Sequence, residues 1–206
     1  MIKIDGSYLE GGGQIVRTAV ALSTLTKTPI KINKIRAGRT KPGLKNQHIY
    51  GIKALQELCN AEVKGLKPGS KSLEYNPQEL NFKNISIDIK TAGSITLLMQ
   101  ALLPVCIFSS KNITIEINGG TDTKYSQPID YFMNVFLPQI SRFATFKSSL
   151  EKRGYYPKGG GKFIIKITPK HKLGDHNSFV EFIKYLKDQE ELDLTKRGSL
   201  LAIKGI

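Results

Sequence analysis

Residues 2–25 read IKIDGSYLEGGGQIVRTAVALSTL, and three patterns follow one another within this stretch. Residues 2–5 alternate between apolar and polar side chains, as a half-buried β-strand does. A glycine-rich segment at 6–13 comes next, and apolar residues then recur through 14–25 over the length of a helix. The stretch therefore predicts a β-strand, a glycine loop and a helix that packs on a sheet.

The same succession of strand, glycine loop and apolar helix occurs twice more. ISIDIKTAGSITLLMQALLPV (85–105) alternates, passes through TAGS and becomes apolar. ITIEINGGTDTKYSQPIDYFMNVFLPQI (113–140) does the same around GGTDTKYSQP. Three copies of one strand–loop–helix unit predict an α+β fold made of α/β repeats, in which helices cover one face of a sheet.

The remaining segments predict further strands and helices. A strand at 29–37 leads through a basic loop into a helix at 45–61, whose apolar residues recur on one face. Turn residues within 61–77 and within 143–169 predict two pairs of strands joined by glycine-containing loops. A charged amphipathic helix is expected at 176–192.

The charge is strongly positive, since 31 Lys and Arg residues against 17 Asp and Glu residues give a net charge of +14. Between Gly11 and Gln56 there is no carboxylate, but there are nine cations. An acid-free basic window predicts a polyanionic partner, with nucleic acid first and nucleotides second. A generally lysine-rich composition is the alternative for the total charge, but it does not explain why one segment lacks acids. The nine cations are Arg17, Lys27, Lys31, Lys34, Arg36, Arg39, Lys41, Lys45 and Lys53.

Cysteine usage and hydropathy indicate the compartment. Cys59 and Cys106 lie in apolar surroundings and are expected to be core residues, not a disulfide or a metal pair. This usage fits a reducing environment, so we expect a cytoplasmic protein. The N-terminus lacks the apolar core of a signal peptide, and the longest apolar run is too short and interrupted to cross a membrane. We therefore expect no membrane partner.

The segment EGGGQ (10–14) has features of an anion site. Glycines between a strand and a helix let backbone N–H groups approach an anion, and the helix N-terminus adds a favourable dipole. Glu10 could hold a divalent metal that bridges phosphates. Arg17 lies one turn beyond Gln14 on the same helix face. A tight turn with close helix–sheet packing is the alternative explanation of the glycines.

The basic loop NKIRAGRTKPGLKNQH (33–48) adds arginines and a second helix start. Arg36 and Arg39 are three residues apart, and Gln47 and His48 fall in the first turns of the next helix. Guanidinium groups can hold a phosphate bidentately, and the helix dipole also favours an anion. The joint pattern predicts phosphate binding, with non-specific contact to a nucleic-acid backbone as the alternative.

Three further features each have more than one possible role. Gln100 and Gln127 lie in or beside apolar segments, where each could satisfy a backbone group or bind the edge of a nucleobase. RGYYPKGGG (153–161) combines cations, two tyrosines and glycines, so it could be a stacking platform or a glycine-rich hairpin. We identify no convincing catalytic triad and no zinc signature in the sequence.

With these residues identified, the chain closely resembles the RNA 3′-terminal phosphate cyclases. Five motifs carry the resemblance, in order from Ile4 to Gly161, and they extend over about three-quarters of the chain. The motifs are IDGSYLEGGGQIVRTAVALS, KIRAGRTKPGLKNQH, KTAGSITLLMQ, GGTDTKYSQPIDYFMNVFLP and RGYYPKGGG.

The resemblance implies an enzyme that uses ATP to convert an RNA 3′-terminal phosphate into a 2′,3′-cyclic phosphodiester, with release of AMP and pyrophosphate. It implies a large domain built from repeats of a βαβαββ-type unit, into which a smaller domain is inserted. By motif match, the RNA phosphate site contains Arg17, Arg36, Arg39, Gln47 and His48. The three arginines and His48 are also implied to support catalysis.

The resemblance also implies positions for ATP and for a metal. Gln100 and Gln127 match positions near the ATP adenosine, although some relatives have proline at the position of Gln127. Glu10 matches a metal-associated glutamate, and the metal would be Mg²⁺ or Mn²⁺. The implied macromolecular partner is RNA with a 3′-terminal phosphate.

The chain departs from the family pattern in one respect. The family's nucleophilic histidine, which first accepts AMP, matches no histidine of this chain. We expect a repeated-subdomain core at 1–170, then a connector helix and the start of the inserted domain at 171–206, where a predicted strand at 199–206 breaks off. We therefore expect the 206-residue chain alone to be inactive. The alternative function is a non-catalytic, cyclase-like RNA-binding factor in ribosomal-RNA processing.

Overall fold

The computed structural model describes residues 1–189 and contains two successive units with the same order of elements. Each unit runs strand, helix, strand, helix, strand, strand. The first unit comprises β1 (Ile2–Asp5), α1 (Gly13–Thr26), β2 (Ile30–Asn33), α2 (Asn46–Cys59), β3 (Glu62–Lys64) and β4 (Leu73–Asn76). The second comprises β5 (Ile85–Asp88), α3 (Ile95–Cys106), β6 (Ile113–Gly119), the short helices α4 (Ile129–Tyr131) and α5 (Leu137–Gln139), β7 (Ala144–Lys152) and β8 (Gly161–Pro169).

Both units fold into a four-stranded mixed sheet of one topology. The strand orders are β1-β2-β4-β3 and β5-β6-β8-β7, and in each sheet the first pair is parallel and the others are antiparallel. The α+β fold with βαβαββ repeats is thereby confirmed. The count of three strand–loop–helix units was one too low, because β2, the basic loop and α2 form a fourth. Each sheet therefore carries two such units.

One apolar core extends through both units. Helices α1 and α2 pack against α3, and α3 in turn packs on β6 and β8. Cys59 and Cys106 are fully buried free thiols within this core, as the sequence predicts. Because the helices of the two units contact each other, the loops at their N-terminal ends are held in fixed positions.

The helix predicted within 113–140 is interrupted. Between α4 and α5, residues Phe132–Phe136 form a π-helical turn, which ends where the Leu137 N–H donates to the Phe132 carbonyl. Pro138 supplies the physical reason, because it has no N–H and its ring would strike the carbonyl four residues earlier in a regular helix.

The helix predicted at 176–192 begins three residues later than expected. It is observed as α6 (Phe179–Gln189), and it follows a 3₁₀ turn at Leu173–Asp175. Its predicted end and the strand predicted at 199–206 lie outside the described residues. None of the helices within residues 1–189 is both long enough and apolar enough to cross a membrane.

The parallel strands direct four loops to one edge of the fold. Because β1 runs parallel to β2, the loops after them, at 6–12 and 34–45, leave from the same edge. The loops at 89–94 and 120–128 likewise leave together from the ends of β5 and β6. Ligand sites of open α/β sheets lie at this carboxyl edge, so a ligand site is expected among these four loops.

Candidate active site

The glycine loop after β1 lets α1 lie close to α2. Gly12 is the N-cap of α1 and Gly13 is its first residue. A methyl group added at Gly13 would overlap Nε2 of His48 and would lie 3.1 Å from Nη1 of Arg17. Position 13 therefore requires glycine, because the His48 ring occupies the space of a side chain. Gly12 has more room, since a methyl group there would come no closer than 3.5 Å to its neighbours.

His48 lies in the first turn of α2, where its ring caps the helix. Its Nδ1 accepts a hydrogen bond from the backbone N–H of Lys45 at 3.0 Å. Since Nδ1 is the acceptor of the neutral ring, the proton is on Nε2. His48 is only 3% exposed, and its Nε2 is the one buried side-chain nitrogen or oxygen within residues 1–189 that has no hydrogen-bond partner. His48 thus presents an unused N–H donor beside Gly13.

Burial and neighbouring cations keep His48 neutral. They lower its pKa to about 3, with burial the largest cause and the charges of Arg17, Arg36 and Lys45 next. Burial also lowers the pKa of Arg17 to about 10. Burial, followed by the charge of Arg39, lowers the pKa of Arg36. The site is therefore a group of like charges that repel one another until an anion is bound.

Ion pairs divide the nine cations of the basic window into two groups. Four of them have carboxylate partners, in the pairs Lys27–Glu79, Lys31–Glu74, Lys34–Asp5 and Arg39–Glu10. Lys53 lies over the ring of Tyr50, 5.5 Å from its centroid. The other four, Arg17, Arg36, Lys41 and Lys45, form no ion pair with any residue in 1–189, and we call them the cation cluster. Cations that have no carboxylate partner, together with a neutral N–H donor, are suited to bind a phosphate.

Glu10 and Arg39 form an ion pair beside this cation cluster. The basic window itself contains no acidic residue. Glu10, which directly precedes the window in the sequence, is brought to it by folding. In the described part of the chain, no group of three or more His, Cys, Asp or Glu side chains could hold a metal. A single carboxylate fits only a metal that takes its other ligands from water and substrate phosphates, as Mg²⁺ commonly does.

Arg36 also shapes the basic loop. Its Nη1 donates to the carbonyl oxygens of Lys41 and Gly43, at 2.9 Å each. Its own backbone is in the left-handed region, with φ of 52°, where a residue other than glycine needs support from its surroundings. The guanidinium therefore holds the loop through one nitrogen and leaves its other donors for an anion.

Two glutamines of the predicted site join the first unit to the second. Gln47 on α2 accepts, through Oε1, the backbone N–H of Ser94 at 3.1 Å. Ser94 is the N-cap of α3. Arg17 on α1 donates from Nε to Oε1 of Gln100 on α3 at 3.0 Å. The structure therefore brings Gln47 and Gln100 to the cation cluster, although they come from different units.

Gln127 is connected to the site through the first turn of α3. Its backbone carbonyl accepts a hydrogen bond from the hydroxyl of Thr96 at 2.9 Å. Thr96 lies one helical turn before Gln100. The two glutamines predicted to bind ATP are therefore linked by one turn of helix.

A cavity of about 340 Å³ lies beside Gln47 and is lined by both units. Lys45 and Gly69 line it from the first unit, and Thr91 and Gly93 line it from the second. From the sequence, Lys45 was predicted only as one of the nine cations, and Thr91 was not predicted as a site residue. The position of Thr91, in the glycine loop after a predicted strand, was the one signal that could have indicated it.

The stability of the chain is expected to fall as the pH drops below 6.5, the ordinary pKa of histidine. The folded-state pKa of His48 is about 3, so between these values the unfolded chain binds more protons than the folded chain. The free energy of unfolding should therefore decrease by about 1 kcal/mol for each pH unit of acidification. Denaturant unfolding at several pH values measures this slope. The His48→Gln variant does not titrate at this position and should give a shallower slope; equal slopes would contradict a buried neutral His48.

Comparisons with known proteins identify the family. The sequence profile of the RNA 3′-terminal phosphate cyclase family matches residues 8–193. Proteins named RNA 3′-terminal phosphate cyclase from Thermococcus sibiricus, Pyrococcus abyssi and Archaeoglobus fulgidus are 50%, 44% and 46% identical to the chain. The matches cover 81%, 100% and 84% of this chain but 48%, 56% and 53% of the relatives, so the chain spans about half of their length. On these matches, the chain belongs to the RNA 3′-terminal phosphate cyclase family.

Proposed function

We propose that this chain supplies the phosphate-binding part of an ATP-dependent RNA 3′-terminal phosphate cyclase. The observation that carries the proposal is the cation cluster, which has no carboxylate partners within residues 1–189 and three of whose charges, those of Arg17, Arg36 and Lys45, act on His48 with its unused Nε2–H. A reaction between an RNA phosphate and a triphosphate gathers several negative charges, and preorganised donors must neutralise them.

We assign the RNA terminal phosphate to Arg17, Arg36, Arg39, Gln47 and His48. The arginines would neutralise its charge, and the loop of Arg36 and Arg39 would close over it. Because Nε2 of His48 already carries a proton, it can donate to a phosphate oxygen but cannot accept the proton of the RNA 2′-hydroxyl. His48 would therefore support catalysis by binding the phosphate, not by acting as a general base.

We assign ATP to the side of the site formed by α3. Gln100 and Gln127 would bind near its adenosine, where their amide groups can pair with the edge of a base. Glu10 would hold Mg²⁺ or Mn²⁺ together with phosphate oxygens, and the bound metal would supply further charge neutralisation. Arg39, released from Glu10, would then turn to the RNA phosphate.

In the proposed reaction, AMP is transferred to an oxygen of the RNA 3′-phosphate, and pyrophosphate is released from ATP. The neighbouring 2′-hydroxyl then loses its proton and attacks the phosphorus of the RNA 3′-phosphate. AMP is displaced, and the cyclic phosphodiester remains. Adenylylation provides AMP as a good leaving group. Because the attack of the 2′-hydroxyl is intramolecular, its fixed orientation lowers the activation barrier. The histidine that first accepts AMP is assigned to no residue of this chain.

The same proposal extends to the domain organisation of the chain and to its cellular compartment. Residues 1–170 would be the repeated-subdomain core, and residues 171–206 would be a connector helix and the start of an inserted domain. The free thiols of Cys59 and Cys106 are in keeping with a reducing compartment, so we place the activity in the cytoplasm.

The proposal predicts that the protein distinguishes RNA by its 3′ end. A single-stranded oligonucleotide with a 3′-phosphate should bind at least about tenfold more tightly than its 3′-hydroxyl counterpart, because each charge-assisted hydrogen bond contributes more than about 1 kcal/mol. Fluorescence anisotropy at one fixed salt concentration measures both affinities. Equal affinities would reject a terminal-phosphate pocket.

The reaction itself is tested by incubating the full-length protein with ATP, Mg²⁺ and the 3′-phosphorylated oligonucleotide. Formation of a cyclic end, scored by its resistance to phosphatase, would support the enzyme. Tight binding of the 3′-phosphate without a cyclic end would support the alternative, a non-catalytic RNA-binding factor.

A further inference from the structure

Three tyrosines are strongly exposed on two loops at the edge that carries the site. Tyr125 is 89% exposed on the loop after β6. Tyr155 and Tyr156 are 55% and 86% exposed on the loop between β7 and β8. We call these three residues the tyrosine surface. Exposed apolar side chains mark an interaction site when they lie together on one surface, not when they are scattered singly.

The two loops are held together. The backbone N–H of Thr121 donates to the carbonyl of Gly154 at 2.8 Å. Arg153 forms ion pairs with Asp122 at 3.2 Å and with Asp130 at 2.8 Å. The tyrosines therefore stand on a fixed support, and the carboxylates of Asp122 in the loop after β6 and of Asp130 on α4 are both paired with Arg153.

The tyrosine surface continues to the phosphate site through the loop at 89–94. The Gly159 backbone packs so closely on this loop that an added methyl group would lie 2.5 Å from the Thr91 carbonyl oxygen. Thr91 and Gly93 line the cavity beside Gln47. The tyrosine surface and the predicted phosphate ligands are thus joined by a single loop, 89–94, of six residues.

The surroundings of the tyrosines are cationic. Lys90, Lys124 and Lys158 are exposed and form no ion pair with any residue in 1–189. The Nζ of Lys124 lies 5.2 Å from the centroid of the Tyr125 ring. Exposed aromatic rings with unpaired cations between them are the features that bind single-stranded nucleic acid, because bases stack and phosphates are neutralised. A protein interface would instead be depleted of lysine around its aromatic residues.

We propose that the tyrosine surface binds the single-stranded RNA nucleotides that precede the terminal phosphate. This inference rests on the proposed function, because the cation cluster must hold the 3′-phosphate for the preceding bases to reach the tyrosines. Bases stack on Tyr125, Tyr155 and Tyr156, and the three lysines contact the backbone phosphates. Since stacking accepts every base, the surface favours single-stranded ends without selecting their sequence.

The test compares two ligands with the same end. One is a 3′-phosphorylated oligouridine of about ten nucleotides, and the other is uridine 3′-monophosphate, which has no preceding base. Tyr125→Ala and Tyr156→Ala should each weaken oligouridine binding about tenfold and leave the monophosphate unaffected. Tyr125→Phe and Tyr156→Phe should bind like the unaltered protein, because the ring is retained. Val180→Ala, at an exposed apolar position on α6, is the control.

A charge variant tests the backbone contacts independently. Lys158→Gln should lower the slope of the salt dependence of oligouridine binding by about one, whereas Lys184→Gln, an equal change of charge on α6, should not. The proposal for the tyrosine surface would be overturned if the alanine variants bound oligouridine normally. It would also be overturned if the phenylalanine variants bound oligouridine as weakly as the alanine variants. Equal binding of 3′-phosphate and 3′-hydroxyl ends would instead overturn the proposed function, so the two failures are distinguishable.

Discussion

The Gly13→Ala variant is expected to lose at least about a hundredfold in affinity for a 3′-phosphorylated oligonucleotide. Its methyl group would overlap the His48 ring, which is buried and held by the Lys45 N–H, so the ring cannot turn aside. Forcing it out removes an N–H donor and displaces Arg17, whose Nη1 lies 3.1 Å from the added methyl group. The overpacking should also lower the free energy of unfolding by about 1–3 kcal/mol.

Two neighbouring glycines serve as controls for this variant. Gly12→Ala adds the same methyl group one residue earlier, at an ordinary contact distance of 3.5 Å. Gly38→Ala adds it within the basic loop, where no other atom lies within 4 Å. Both should retain affinity within a few-fold and stability within about 0.5 kcal/mol. Similar losses in all three variants would mean that the effect comes from backbone stiffening and not from the His48 contact. Fluorescence anisotropy and denaturant unfolding measure the two quantities.

The Arg17→Met variant is expected to gain stability while it loses RNA binding. The Arg17 guanidinium is partly removed from water and has no carboxylate partner within residues 1–189, so its desolvation is offset only by the hydrogen bond to Gln100. Methionine is of similar length, and its substitution should raise the free energy of unfolding in phosphate-free buffer by about 1 kcal/mol. The affinity for a 3′-phosphorylated oligonucleotide should fall at least about a hundredfold, since a partly buried charge–phosphate contact is lost.

The matched control is Lys53→Met, which removes one positive charge from an exposed position of α2. Lys53 lies above Tyr50 and outside the cation cluster, so stability should change by less than about 0.5 kcal/mol and affinity by less than about threefold. If Arg17→Met were destabilising, the guanidinium would be contributing to folding through its contact with Gln100, and its assignment as a phosphate ligand that destabilises the free chain would be wrong.

The fold could be predicted from sequence where local pattern and packing agree. Strand, glycine loop and apolar helix coincide in 2–25 and in 85–105, and both stretches fold as predicted. The β2–α2 unit was missed as a repeat because its loop is long and basic, which conceals its likeness to the glycine loops. The π-helical turn was missed because periodicity alone does not register the missing N–H of Pro138.

The site could be predicted from sequence as a set of residues but not as an arrangement. The contact of Arg17 with Gln100 joins positions 83 residues apart, and no local pattern records it. The sequence also did not distinguish Gly12 from Gly13, although only the second contacts His48. The unused Nε2–H of His48 depends on the Lys45 cap and on three packed helices, so it exists only in the folded chain.

The identical strand order of the two sheets has an evolutionary consequence. Two copies of one topology, joined head to tail, are the expected result of a gene duplication. The first copy carries the cation cluster, and the second carries Gln100 on α3 and the tyrosine surface. On the proposed function, mutations in the second copy would therefore change the preference for RNA ends while the first copy continued to bind phosphate. Such a division would let selection change the preferred substrate without altering the residues proposed to bind phosphate.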